Sequence, residues 1–92
     1  MKFEKRLHAL QTIYRYLDVQ RINRVEVTAH DIVRFFHLPW ECSYTLAATM
    51  RYIYDKKKTV NGIRVTGMRT FRKEGYPTKY IIERVKWNTV ER

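Results

Sequence analysis

The sequence predicts an α+β domain of three helices, a short strand and a C-terminal β-hairpin. Three observations carry that prediction. Apolar residues recur at helical spacing from about Phe3 to Gln20, and two further helical stretches between Thr28 and Asp55 are separated by a tight turn at His37-Leu38-Pro39. From Thr59 the pattern changes to strand-like alternation in a segment rich in cations and aromatics. At 92 residues the chain, 1–92, is expected to form one domain, whose core is modest for its surface, so that a partner subunit would help.

In the first helix Phe3, Leu7, Leu10, Tyr14 and Leu17 form a stripe at spacings of three and four, and this stripe is expected to pack on the core. Lys2, Lys5, Arg6, Arg15 and Arg21 lie on the other faces as a solvated surface, with phosphate contact as the second reading. Ile13 and Tyr16 fall off the stripe, where an apolar pair reads as a subunit contact. Arg24-Val-Glu-Val27 alternates and is β-branched, so it is expected to be a short strand that joins the sheet of the hairpin.

Thr28 opens the second helix as its N-cap, and Asp31 at the third helical position completes a variant of the capping box. That helix carries Ile32, Val33, Phe35 and Phe36, with His30 and Arg34 on more exposed positions. None of the three histidines has a cysteine or a second histidine at a metal-ligand spacing, so no metal is expected.

The third helix is predicted to begin near Pro39 or Trp40, since proline's missing N–H costs nothing in a first turn, and to run to about Asp55. At 100° per residue, with Leu46 at the centre of the buried face, Cys42, Thr49, Met50 and Ile53 fall near it. Tyr44, Ala48, Arg51 and Asp55 point the opposite way, flanked by Ala47 and Trp40. Such a face suits a DNA groove: two alanines allow close approach, Tyr44 reaches a phosphate or a thymine methyl, and Arg51 has the fork that pairs with guanine or phosphate. Ser43 and Thr45 add short hydroxyl donors, whereas the Glu41 carboxylate would repel phosphate unless it caps the helix or accepts from cytosine. Lys56-Lys57-Lys58 suits the negative end of the helix dipole.

Asn61-Gly62 marks a turn into a strand over Ile63 to Phe71; a second turn at Lys73-Glu-Gly-Tyr-Pro77 leads to a partner strand from Lys79 to Trp87. Ile81, Val85 and Trp87 are expected to cover the helices, leaving Tyr80, Arg84 and Lys86 on the other face. Arg69, Arg72, Lys73 and Lys79, with Tyr76 near the tip, form a cation density suited to DNA backbone or minor groove. Basic residues also blunt exposed sheet edges, which is the structural alternative.

Charge points the same way. Lys and Arg total 19 against 9 acidic residues, a formal charge of +10 that exceeds what solubility requires and favours a polyanionic partner. No stretch approaches the ~20 apolar residues that span a bilayer, the charged start does not read as a signal peptide, and the single Cys42 excludes an internal disulfide. The expectation is a cytoplasmic, nucleoid-associated module without membrane contact or cofactor. With no Gly-rich phosphate loop, nucleophile elbow or metal cluster in the sequence, an enzyme is not expected.

In element order and hydrophobic positions the chain resembles the winged helix-turn-helix superfamily of DNA-binding proteins, including the PadR-like and MarR-like regulators and the small winged-helix proteins of archaeal viruses and plasmids. The resemblance implies a homodimer that presents two recognition helices to a palindromic or repeated double-stranded DNA site. Tyr44, Ala47, Ala48 and Arg51 match the exposed recognition-helix positions, and Arg69, Arg72 and Lys73 match the wing, the β-hairpin that flanks the helix-turn-helix. PadR-like and MarR-like proteins dimerise through additional long helices, and none is evident after Trp87. The function expected is sequence-specific DNA binding by a transcriptional regulator. The alternative is a partition or architectural protein that spreads along DNA, with a partner protein if it acts as a partition adaptor.

Overall fold

The computed structural model describes residues 2–71 and 76–85, with side chains described over 6–70 and 77–85. Six elements follow one another: α1 (Lys2–Gln20), β1 (Arg24–Thr28), α2 (Ala29–Phe36), α3 (Cys42–Lys56), β2 (Ile63–Phe71) and β3 (Tyr76–Arg84). The result is an α+β domain in which the helices pack on one face of a three-stranded antiparallel sheet.

Local chemistry sets each boundary. α1 stops at Arg21, which enters the left-handed region at φ 57°, and the Ile22 N–H then donates back to the Leu17 carbonyl at 3.1 Å. Thr28 closes β1 and caps α2 through the full capping box, with Asp31 as its reciprocal partner. α2 ends at His37, also left-handed at φ 54°, and the Leu38 N–H donates to the Val33 carbonyl at 2.9 Å. Three i→i+3 bonds, from Cys42, Ser43 and Tyr44 to Pro39, Trp40 and Glu41, form a tight turn ahead of α3. The regular helix therefore starts at Cys42, later than the expected Pro39 or Trp40. Asn61 and Gly62, at φ 51° and 78°, make a two-residue hairpin turn in which Val60 and Ile63 exchange two hydrogen bonds of 2.9 Å.

The strand order is β1-β3-β2, so the last strand in sequence is the central one. Val27 and Val25 of β1 stand opposite Tyr80 and Ile82, while Val65 and Ile63 of β2 stand opposite Ile82 and Arg84. This register corrects the expected facing of β3. Tyr80 and Ile82 are buried, Arg84 is largely so, and Ile81 lies on the outer face. Strand side chains alternate, so the inward valines of both neighbours impose one parity on β3 and turn Ile81 away. The strand also begins at Tyr76, inside the expected turn, and ends at Arg84. Val85 follows β3, and Lys86 and Trp87 lie outside the described residues. An extra residue in β2 between Val65 and Gly67 keeps both Val65 and Met68 on the inner side. Gly67 faces Ile81 across the outer surface, where an added Cβ would meet the Ile81 Cδ1 at 2.9 Å.

Ile13, Leu17, Ile32, Leu46, Met50, Ile53, Ile63 and Ile82 are fully buried at the centre of the core. Removing a side chain of this size from water contributes about 1.5–3 kcal/mol. Ile13 and Tyr16, expected at a subunit contact, belong to this core instead. The Tyr16 ring packs edge-on against Phe35 and Phe36 at centroid distances of 5.2 and 6.4 Å. The buried arc of α1 is thus centred on Ile13 and Leu17, leaving Leu7 exposed and Tyr14 half-buried. Phe35, grouped with the apolar residues of α2, is 43% exposed.

Arg84 joins the two ends of this architecture. Its Nη1 lies 2.7 Å from Asp18 Oδ1 at the end of α1, and its Nε and Nη2 donate to Asn23 Oδ1 at 3.2 and 3.0 Å. The guanidinium also stands 5.7 Å from the centre of the Tyr14 ring.

Candidate nucleic-acid interface

α3 divides into two faces. Ser43, Leu46, Thr49, Met50 and Ile53 are buried, whereas Tyr44, Ala48, Arg51 and Asp55 are exposed. Tyr44 is the most exposed large apolar side chain described, at 69%. The residues of the predicted reading face therefore share one continuous surface, with half-buried Ala47 at its border. Ser43 does not join them. It is 4% exposed, because it precedes Leu46 by three residues and turns with it into the core, and its hydroxyl cannot serve as a groove donor. Thr45 is half-buried on a different side, lining a groove of about 270 Å³ with Ala9, Thr12, Leu38, Cys42 and Leu46.

Trp40 stands in the turn ahead of α3, 57% exposed, with one ring face stacked on His30 at 4.5 Å and an interplanar angle of 27°. The stack fixes the indole at the entrance to the α3 surface. Glu41 is exposed and makes no side-chain cap to the helix N-terminus, so its charge is directed to solvent.

Arg51 forms an ion pair with Asp55 one helical turn later, Nε to Oδ2 at 3.4 Å. The i,i+4 spacing of Arg51 and Asp55 is the sequence signal for this pair. Arg51 also lies close enough to Tyr80 on β3 for its charge to act on the phenol. Burial pushes the Tyr80 phenol above its ordinary pKa, and the Arg51 charge opposes that rise. α3 itself packs against β2, an outer strand of the sheet.

The outer surface of the sheet carries alternating charge. Arg69 reaches from β2 across β3 to Glu26 on β1, with Nη2–Oε2 at 2.8 Å and Nε–Oε2 at 2.9 Å. Glu83 stands between Arg24 and Arg64 at 3.7 Å from each. Arg69, expected as an extended wing cation, is therefore held on the sheet surface by Glu26. Lys79 pairs in register with Arg69 and is exposed. Arg72, Lys73 and the side chain of Tyr76 lie outside the described residues.

Among the described residues, no group of three or more His, Cys, Asp or Glu side chains could hold a metal ion, and no helix is long and apolar enough to cross a membrane. Cys42 is a free, half-buried thiol. No protein-family model matches the chain, and no curated protein or solved structure matches it.

Proposed function

We propose that the chain is a winged helix-turn-helix protein that binds double-stranded DNA in a sequence-specific manner, with α2 and α3 as the helix-turn-helix and the β2–β3 hairpin as the wing. One observation carries the reading: α3 exposes Tyr44, Ala48 and Arg51 on one surface, in a chain of net charge +10. Two small residues beside a tyrosine and an arginine allow a helix backbone to approach base edges. The Arg51–Asp55 pair adds no net charge to that surface, so the attraction to phosphate comes from the other cations, including Arg72, Lys73 and Lys79 of the wing sequence.

A homodimer on a two-fold DNA site fits this reading. With Ile13 and Tyr16 committed to the core, Leu7 and Val19 are, among the described residues, the large apolar side chains α1 leaves exposed to a partner, at 37% and 53%. Sedimentation equilibrium tests it, and a monomer at high concentration contradicts it.

Selection of bound fragments from random DNA, followed by footprinting over a concentration series, tests the function. A regulator protects a short bounded site. The high net charge also favours a second reading, an architectural or partition protein, whose protection would lengthen along the DNA as concentration rises. Weak binding that is insensitive to salt would contradict both.

A further inference from the structure

On the α3 face that exposes Tyr44 and Ala48, the charged side chains are Arg51 and Asp55, and they form an ion pair. Asp55 Oδ2 lies 3.4 Å from Arg51 Nε, an ion pair on that side of the guanidinium without a hydrogen bond, while both side chains remain more than half exposed, at 61% for Arg51 and 56% for Asp55. Lys57 and Arg64 also line the groove between α3 and β2 beside Asp55, and Arg64 is engaged by Glu83. A guanidinium has five N–H donors in a planar fork. When a carboxylate occupies the Nε edge, the donors of the two terminal nitrogens remain, spaced for two acceptors side by side. The O6 and N7 atoms of guanine in the major groove are such a pair.

The carboxylate also acts on phosphate. An exposed Asp55 within the same contact surface repels the DNA backbone, so an arginine tied to it is a poor phosphate anchor. A carboxylate in the last turn of a helix is moreover unfavourable to the helix dipole, and an exposed i,i+4 pair contributes only about 0.3–0.5 kcal/mol to folding. Stability alone gives little reason for an aspartate at this position.

We propose that Asp55 is a positioning residue for base recognition: by pairing with Arg51 on its Nε side it leaves the two terminal amino groups to the O6 and N7 of one guanine, and it keeps that arginine off the phosphates. This rests on the DNA-binding reading above. The consequence has opposite signs on two kinds of DNA. Removing the carboxylate relaxes discrimination and, by removing a repulsive charge, tightens binding to unrelated duplex.

The test compares the wild-type chain, Asp55→Ala and Asp55→Glu on a selected duplex, on a scrambled duplex of equal length, and on copies of the selected duplex with 7-deazaguanine at each guanine in turn, which removes the N7 acceptor. For the wild type, one 7-deazaguanine position is expected to weaken binding about tenfold, and for Asp55→Ala the loss there falls below about threefold. Asp55→Ala is expected to bind the scrambled duplex about two- to threefold more tightly. Asp55→Glu, which still reaches Nε at the same spacing, restores the wild-type pattern. Thermal melting of Asp55→Ala is expected to be unchanged or slightly raised; a lowered melting temperature with discrimination intact would make the pair merely structural and overturn the proposal. A 7-deazaguanine penalty in Asp55→Ala equal to that of the wild type would overturn it while leaving the DNA-binding reading in place. A wild type that binds selected and scrambled duplexes alike would overturn both.

Discussion

Arg84 of the central strand and Asp18 of the first helix meet at 2.7 Å across 66 residues of sequence. The two partners contribute unequally. Arg84 is 15% exposed while Asp18 is 67% exposed, so the arginine is a packed residue and the aspartate a surface one. Arg84→Ala removes its bonds to Asn23 and its contact with Tyr14 as well, and is expected to destabilise the fold by about 2 kcal/mol. Asp18→Ala is expected to cost less than about 1 kcal/mol. Urea unfolding of both variants checks the ranking, and equal losses would contradict it.

The start of α2 rests on reciprocal bonds. The Asp31 N–H donates to Thr28 Oγ1 and the Thr28 N–H to Asp31 Oδ2, each at 3.0 Å. Thr28→Ala is expected to lower stability by about 1–2 kcal/mol, and Thr28→Ser, which keeps the acceptor, by much less. The same denaturation measurement reads the difference between the two.

Lys57 ends α3 in the left-handed region at φ 55°, where a Cβ is unfavourable. Lys57→Gly is expected to stabilise the fold by about 0.5–1 kcal/mol, because glycine adopts that conformation without steric cost. A lower melting temperature would show that the lysine side chain makes a compensating contact.

Tyr80 couples the core to alkaline pH. Its pKa in the folded chain is raised above the ordinary 10.0 by burial. A phenol that holds its proton more tightly when folded contributes stability that is complete below its unfolded pKa and is lost as pH rises through the folded value. Stability is therefore expected to fall above about pH 10. Tyr80→Phe should show a shallower fall over that range when melting temperatures are compared at rising pH, and parallel curves would refute the assignment.

The two parts of the DNA surface are expected to separate by mutation. Arg51→Ala should reduce discrimination between selected and scrambled sites by about 1–3 kcal/mol. Arg72→Ala should weaken binding to both and lower the salt-dependence slope by about one. Titrations at several salt concentrations measure both quantities, and identical losses on the two duplexes for both variants would remove the distinction between reading helix and wing.

Much of this arrangement was legible in the chain because local rules decide it. Thr28 and Asp31 announce their own capping box, Asn61-Gly62 its own turn, and Leu46 sets the rotation of α3 by a single buried position. That same rotation puts Ser43 within 60° of Leu46, and so on the buried face despite its position near the helix start. β3 was less legible. Ile81 and Ile82 are adjacent and equally apolar, so alternation alone cannot choose between them, and the choice comes from valines on two other strands. Nothing local to Arg84 signals its clamp on Asp18 and Asn23, since these partners are brought near only by the closed sheet. Ile13 and Tyr16 join the core, contrary to the expected subunit contact, because α1 buries a wide arc between the sheet and α2 and not a narrow stripe.

Because β3 lies between β1 and β2, neither outer strand has a neighbour in the sheet until Tyr76–Arg84 arrives. During synthesis, the three helices leave the ribosome before any ladder hydrogen bond of the main sheet can form, and β1 waits through both α2 and α3 for its partner. Closing that long-range pairing is the entropically expensive step, so strand insertion rather than helix formation is expected to limit the rate of folding. Until that insertion, the backbone groups of β1 and β2 that face β3 lack their ladder partners. The interval before β3 docks is then the period in which a newly made chain is most open to aggregation.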